Sequence, residues 1–170
     1  IFNEFHQPVE KIIRFKDITK FKRQNDELSY LAYYDSLTGL YNRNYFVRNL
    51  AEWLRKAEKD NSIVSVMFID IDDFRKINDG LGLVVGDELV QVFGQYLKEF
   101  SNEKVIVSHF NSDIYCIGIF DPCGSSSVEH IYKTMHERLQ KPFLLSNRQE
   151  LSISVSVGVA EFPETSKDTL

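Results

Sequence analysis

Residues 62–71, SIVSVMFIDI, form an apolar run rich in β-branched and aromatic side chains, too short for an ordinary helix, and predict a strand. Asp70 arrives while that pattern still holds, so its carboxylate is expected at the strand's C-terminal end, on the rim of a cleft. Asn78 and Asp87 then flank a turn containing Gly82, and Gly86-Asp87 is expected to open a helix over 86–101. There Leu89, Val92, Phe93, Tyr96, Leu97 and Phe100 recur at steps of three and four. Residues 105–110 and 114–120 read as two strands joined through Asn111-Ser112-Asp113, an acid-bearing hairpin turn. Residues 121–124 are a loop, and Ser126 with Glu129 has the spacing of a capping box. The helix it opens carries Val128, Ile131, Tyr132, Met135 and Leu139 on its apolar face and ends before Pro142. Residues 151–160 alternate and predict a last strand.

Ahead of this core, Phe46, Leu50, Trp53, Leu54 and Ala57 predict a helix over 44–58, ended by Asp60-Asn61 and preceded by a turn-rich hinge at 35–40. Residues 20–34 carry a short apolar stripe in a charged background, the pattern of a connecting helix. Residues 1–19 read as two short strands around Gln7-Pro8. From residue 62 onward the order is strand, helix, strand, strand, helix, strand. This is an α+β fold with a ferredoxin-like βαββαβ core, an antiparallel sheet with helices on one face. In that topology the first strand neighbours the hairpin, so Asp70 and Asp113 are expected to approach each other. Two close carboxylates repel unless a cation lies between them, and hard oxygen donors favour Mg²⁺ over Zn²⁺. Such a site suits a metal-bound triphosphate.

Composition narrows the class. The 170 residues suit one domain with a short appendage, and 43% hydrophobic residues are enough for a core. The net charge of -5 and the scattered Lys and Arg argue against a nucleic-acid surface. Two cysteines without C-x-x-C spacing predict reduced thiols in a cytoplasmic protein, and no stretch has the length of a membrane span. The chain opens without methionine and stops soon after a strand-like run, so a piece of a longer protein is expected.

Four motifs in order resemble one known family: Asp35-x-Leu37-Thr38-Gly39-Leu40-x-Asn42-Arg43, Phe68-Ile69-Asp70-Ile71-Asp72-x-Phe74-x-x-Ile77-Asn78-Asp79, Gly82-x-x-x-Gly86-Asp87 and Ser156-Val157-Gly158-Val159-Ala160. Together they look like the GGDEF domain of diguanylate cyclases, over residues 30–165. The resemblance implies a nucleotidyl cyclase-like fold and condensation of two GTP molecules to cyclic-di-GMP by a homodimer meeting face to face, each domain holding one GTP with Mg²⁺. It implies a metal held by Asp70, the backbone carbonyl of Ile71 and Asp113, with Asp70 and Asp113 as the catalytic acids. Asn78 and Asp87 would contact guanine, with Phe74 and Arg75 in the same substrate-binding group, Arg75 standing where a Lys commonly approaches the phosphates.

The signature itself departs from the family. Asn111-Ser112-Asp113-Ile114-Tyr115 stands where Gly-Gly-Asp-Glu-Phe is usual, so two side chains intrude where glycines let backbone approach a ligand, and Ile114 replaces an acid. Asn111 is the residue expected to tolerate a left-handed turn here. His109 stands for the usual Arg, Leu83 for the usual His, and the usual Arg-x-x-Asp inhibitory site is absent at residues 102–105. Asp17-Ile18-Thr19 looks like the end of a PAS sensor domain, and Lys141-Pro142-Phe143 is similar to GGDEF domains followed by an EAL phosphodiesterase domain. The division expected is a PAS remnant at 1–19, a connecting helix at 20–34 and a GGDEF-like domain at 35–170 whose usual closing helix is missing after Leu170. Each site residue also has a plainer role: an ion pair for Asp70, a turn hydrogen bond for Asn78, a helix-terminus acid at Asp87 and a turn acid at Asp113. Three functions fit these residues: a regulatory, GTP-binding or structural module with a degenerate signature, an active cyclase with an unusual one, and a dimerisation scaffold.

Overall fold

The computed structural model describes residues 30–122 and 127–163. The expectations for residues 1–29, for Cys123 and for the Ser126 capping box lie outside them. Asp35 starts the described domain as an anchor: its carboxylate accepts from the Thr38 amide (2.9 Å) and hydroxyl (2.8 Å), closing a tight turn. The chain then forms β1 (Tyr41–Asn42) and α1 (Arg43–Asp60), whose N-cap is the Asn42 side chain accepting from the Tyr45 amide at 3.0 Å. Asn61, left-handed at φ 52°, ends α1.

The remaining elements are β2 (Ile63–Ile71), α2 (Phe74–Leu81), α3 (Leu83–Lys98), β3 (Val105–Asn111), β4 (Ile114–Asp121), α4 (Ser127–Leu139), β5 (Phe143–Leu144), β6 (Glu150–Leu151) and β7 (Val155–Phe162). Five strands make the main sheet in the order β1-β3-β4-β2-β7, with β1 parallel to β3 and every other neighbour antiparallel. β5 and β6 form a separate two-stranded ribbon.

Alternation along β2 divides the core. Met67, Ile69 and Ile71 pack with Leu89, Phe93 and Leu97 of α3 and with Ile131 and Met135 of α4. On the opposite face Phe46 of α1 packs with Ile106 and Cys116, and Ala57 with Val64 and Phe120. The βαββαβ core therefore has its two helices on one face, as the order of elements predicts, while α1 covers the other. Burial pushes the Cys116 thiol up to about 12, which makes it a packing residue and not a reactive one. Among the described residues no helix is long and apolar enough to cross a membrane.

Three local expectations are corrected. Gly86-Asp87 does not open the helix after the Gly82 turn: Asn78 lies in α2, and α3 begins at Leu83, so Asp87 sits in its second turn. Gly82, at φ 90°, breaks the two helices apart. The last strand is split, because 152–154 leave the ladder between β6 and β7. The left-handed residue of the hairpin is Ser112, at φ 40°, and not Asn111, which pairs with Ile114 beyond an irregularity between His109 and Asn111.

Candidate functional site

The C-terminal end of β2 and the β3–β4 turn meet as the topology requires. Asp70 is in register with Ile114, and the Ile71 amide donates to the Asp113 carbonyl at 3.2 Å, so the two acids flank the same point of the sheet. Their charges interact: Asp70 is held above its ordinary 3.8, first by desolvation and then by the negative charges of Asp113 and Asp72. An open cleft of about 590 Å³ runs along this edge, lined by Asp70, Ile71, Asp72, Asp73, Phe74, Arg75, Asp113 and Ser154.

Within the cleft the side chains divide by what holds them. Asp72 is kept below the ordinary carboxylate range by the Ser156 hydroxyl, which donates to it at 2.7 Å, and by Ser154. Asp73, left-handed at φ 56°, pairs with Lys76 at 2.8 Å. Arg75 is turned to solvent and lies 3.8 Å from Asp79, one helical turn on, a pair worth little in water. Phe74 is 8% exposed, so it floors the cleft from the core side.

Asn78 and Asp87 do not line this cleft; they lie on α2 and α3. The Asn78 Oδ1 is buried without a hydrogen-bond partner and packs directly over Gly86. A Cβ on Gly86 would lie 1.8 Å from that oxygen and 3.4 Å from the Phe74 ring. Gly86→Ala is expected to expel the Asn78 amide and to cost about 1–3 kcal/mol of overpacking. Urea unfolding gives the cost, and a shifted Asn78 side-chain NH₂ resonance reports the displacement.

The five hairpin residues are used unequally. Asn111 and Ser112 are exposed, Asp113 and Ile114 are half-buried, and Tyr115 is fully buried, its hydroxyl donating to the Val90 carbonyl of α3 at 2.7 Å. The last residue of the motif is therefore a core residue that ties β4 to α3. Among the described residues no group of three His, Cys, Asp or Glu side chains could hold a metal, so a cation here would rely on Asp70, Asp113 and backbone oxygen.

One pair has almost no signal in the sequence. His109, one of several histidines scattered along the chain, is 4% exposed and has Nδ1 2.9 Å from the Asp35 carboxylate. Asp35 lies below its ordinary range: burial alone would raise it, and Thr38 and His109 outweigh that. What the sequence does offer for this contact is a polar Ser108-His109 pair inside a largely apolar strand run.

The family model described as "Diguanylate cyclase, GGDEF domain" matches residues 32–170. The chain belongs to the GGDEF family. Signaling protein YkoW of Bacillus subtilis is 30% identical over 169 residues, which is 98% of this chain and 21% of that protein. Cyclic di-GMP phosphodiesterase PdeR of Escherichia coli is 30% identical over 153 residues, 90% of this chain and 22% of that protein. The solved GGDEF domain of TpbB from Pseudomonas aeruginosa superposes with a TM-score of 0.71 at 31% identity, over 77% of this chain and 76% of that one. Its full-length parent, diguanylate cyclase TpbB, is 29% identical over 145 residues, 85% of this chain and 33% of that protein. This GGDEF chain thus spans between about a fifth and a third of the relatives' length, and by name those relatives are a signaling protein, a cyclic di-GMP phosphodiesterase and a diguanylate cyclase.

Proposed function

We propose that this GGDEF domain is a regulatory module of a cyclic-di-GMP signalling protein, one that holds Mg²⁺ and GTP or acts structurally and does not synthesise cyclic-di-GMP efficiently. The observation that carries the reading is the register of the hairpin: Asp113 keeps its place beside Asp70, while Ile114, directly across from Asp70, puts an alkyl group where the family has an acid. The donor set fits Mg²⁺, since both side chains and the Ile71 carbonyl are hard oxygen ligands and the repulsion felt by Asp70 is what a cation relieves. A bound Mg²⁺ would supply charge neutralisation of the phosphates. Arg75, at the cleft edge, would swing from Asp79 to a phosphate, and Asn78, whose partnerless amide oxygen is packed over Gly86, would reach a base only by turning that amide outward.

In a longer protein this module would sit between a PAS sensor and an EAL domain and would pair with a second copy. Calorimetric titration of GTP with Mg²⁺ tests the reading. Saturable heat that disappears in Asn78→Ala, with no cyclic-di-GMP formed, is the expected result. Sustained turnover heat with cyclic-di-GMP accumulating would establish the cyclase instead, and silence would leave a dimerisation scaffold.

A further inference from the structure

The buried His109 lies between two turns. Its Nδ1 is 2.9 Å from Asp35 of the turn that opens the domain, although the oxygen lies off the ring N–H axis, and its Nε2 is 3.2 Å from the Ser112 carbonyl in the hairpin turn. Both neighbours are acceptors, and because a neutral imidazole donates from only one nitrogen, satisfying both at once takes a side chain that donates in two directions.

Each turn has its own reason to need the contact. The opening turn is a tightly bonded unit: the Asp35 amide donates to the Leu40 carbonyl at 2.8 Å and the Gly39 amide to the Asp35 carbonyl at 2.9 Å. It is also held to α3, because Gln91 and Gln95 donate to the Leu37 and Thr38 carbonyls at 3.1 and 3.0 Å. A turn bonded this way holds its shape as one body. The hairpin turn, by contrast, carries a serine at φ 40°, a conformation that glycine adopts more cheaply. An outside contact on the Ser112 carbonyl keeps that strained peptide from relaxing, and the next residue is Asp113.

We infer that His109 is a positioning residue that clasps the domain's opening turn to the turn bearing Asp113, so that displacement of the opening turn shifts the acid in the cleft. The functional half of this inference rests on the reading of Asp70 and Asp113 as a metal-nucleotide site; the mechanical half does not.

The test uses the 170-residue chain and three variants, His109→Gln, Asp35→Ala and His109→Arg. The ligand-free readout is hydrogen exchange at the Ile71 amide, which donates to the Asp113 carbonyl. Loss of the clasp should speed that exchange by about tenfold in His109→Gln and Asp35→Ala, the loss expected for one net hydrogen bond. Core amides such as that of Leu97 should not follow. His109→Arg, which donates in two directions, should restore the parent rate. The second readout is Mn²⁺·GTP affinity by electron paramagnetic resonance, expected to fall about tenfold in the first two variants and to recover in the third.

Unchanged Ile71 exchange in a folded His109→Gln protein, or an Arg variant that behaves like the Gln variant, overturns the clasp. Should His109→Gln fail to fold, Asp35→Ala removes the same contact from the other side, and unchanged Ile71 exchange there overturns the clasp equally. Faster exchange without any change in Mn²⁺·GTP affinity overturns the link to the cleft. If the parent protein binds no Mn²⁺·GTP, the nucleotide reading falls by itself, and the exchange data still decide whether the clasp exists.

Discussion

On the proposed reading Mg²⁺ and GTP raise the melting temperature of the parent protein, and Asp70→Asn is expected to abolish that rise while leaving the ligand-free domain at least as stable. The first half follows from the donor set, because Asp70 and Asp113 are the two carboxylates that the hairpin register brings together. Removing one of two anionic ligands of a hard cation should weaken binding by about a hundredfold or more, since each tenfold is 1.4 kcal/mol and charge-assisted contacts are worth about twice that.

The second half follows from the electrostatics. Asp70 is held above 3.8 by desolvation and by its acidic neighbours, so the folded state binds its proton more tightly than the unfolded chain does. That contribution favours folding below pH 3.8 and is lost as pH rises through the higher folded value. At neutral pH the ionised group therefore works against the ligand-free fold, modestly because the side chain is exposed. Asn removes that penalty. Thermal unfolding of parent and variant as a function of pH should converge below about pH 4 and separate above it, the variant being the more stable. A variant that melts lower at neutral pH without metal would contradict the repulsion.

Phe93→Ala carries the largest expected cost in stability. Its ring is fully buried and meets Tyr115 edge-on at 5.2 Å and 89° and Phe143 at 5.7 Å and 90°. It joins α3 to the sheet and to the β5–β6 ribbon at once, so no single neighbour can collapse into the space it leaves. Truncation of such a phenylalanine costs about 3–5 kcal/mol, a large share of a typical domain's 5–15 kcal/mol. The melting temperature should fall by roughly 10 °C. Phe68→Ala is the contrast: its ring is 47% exposed, and its loss should cost less than about 1 kcal/mol. Urea unfolding of both variants checks the ranking, and equal costs would show that the core is not organised around α3.

The elements that sequence reasoning places well are those whose periodicity is strong and whose neighbours are apolar. β2, the β3–β4 hairpin, α1 and α4 lie within two or three residues of their expected ranges, because alternation or a three-four stripe states locally which face is buried. α2 has no such signal. Asn78, Asp79, Gly80 and Gly82 are poor helix formers, and packing of Phe74 and Ile77 against the core overrides that propensity. Without α2, the visible Gly86-Asp87 pair reads as the start of α3, whereas the backbone turns at Gly82. Propensity likewise assigns the hairpin's left-handed residue to Asn111, and the irregularity after His109 shifts the turn so that Ser112 takes it.

The candidate site divides in the same way. Asp70, Ile71 and Asp113 are legible because motif order and strand topology together fix which strand ends meet. The partners that set their surroundings are not: Ser156 holding Asp72, Asn78 seated on Gly86, and His109 between Asp35 and Ser112 are contacts that no local pattern announces.

By itself, then, the amino-acid sequence determined the α+β class, the order of the βαββαβ core, the family and the acids at the ends of β2 and the hairpin. These follow from periodicity and local chemistry, which any short window of chain carries. Only the tertiary structure decided that α1 closes the second face of the sheet, that Ile114 faces Asp70, that Tyr115 is a core residue and that a buried histidine bridges two turns. Each depends on register and on which distant side chain fills a given space, and both are settled when the sheet and its helices pack together.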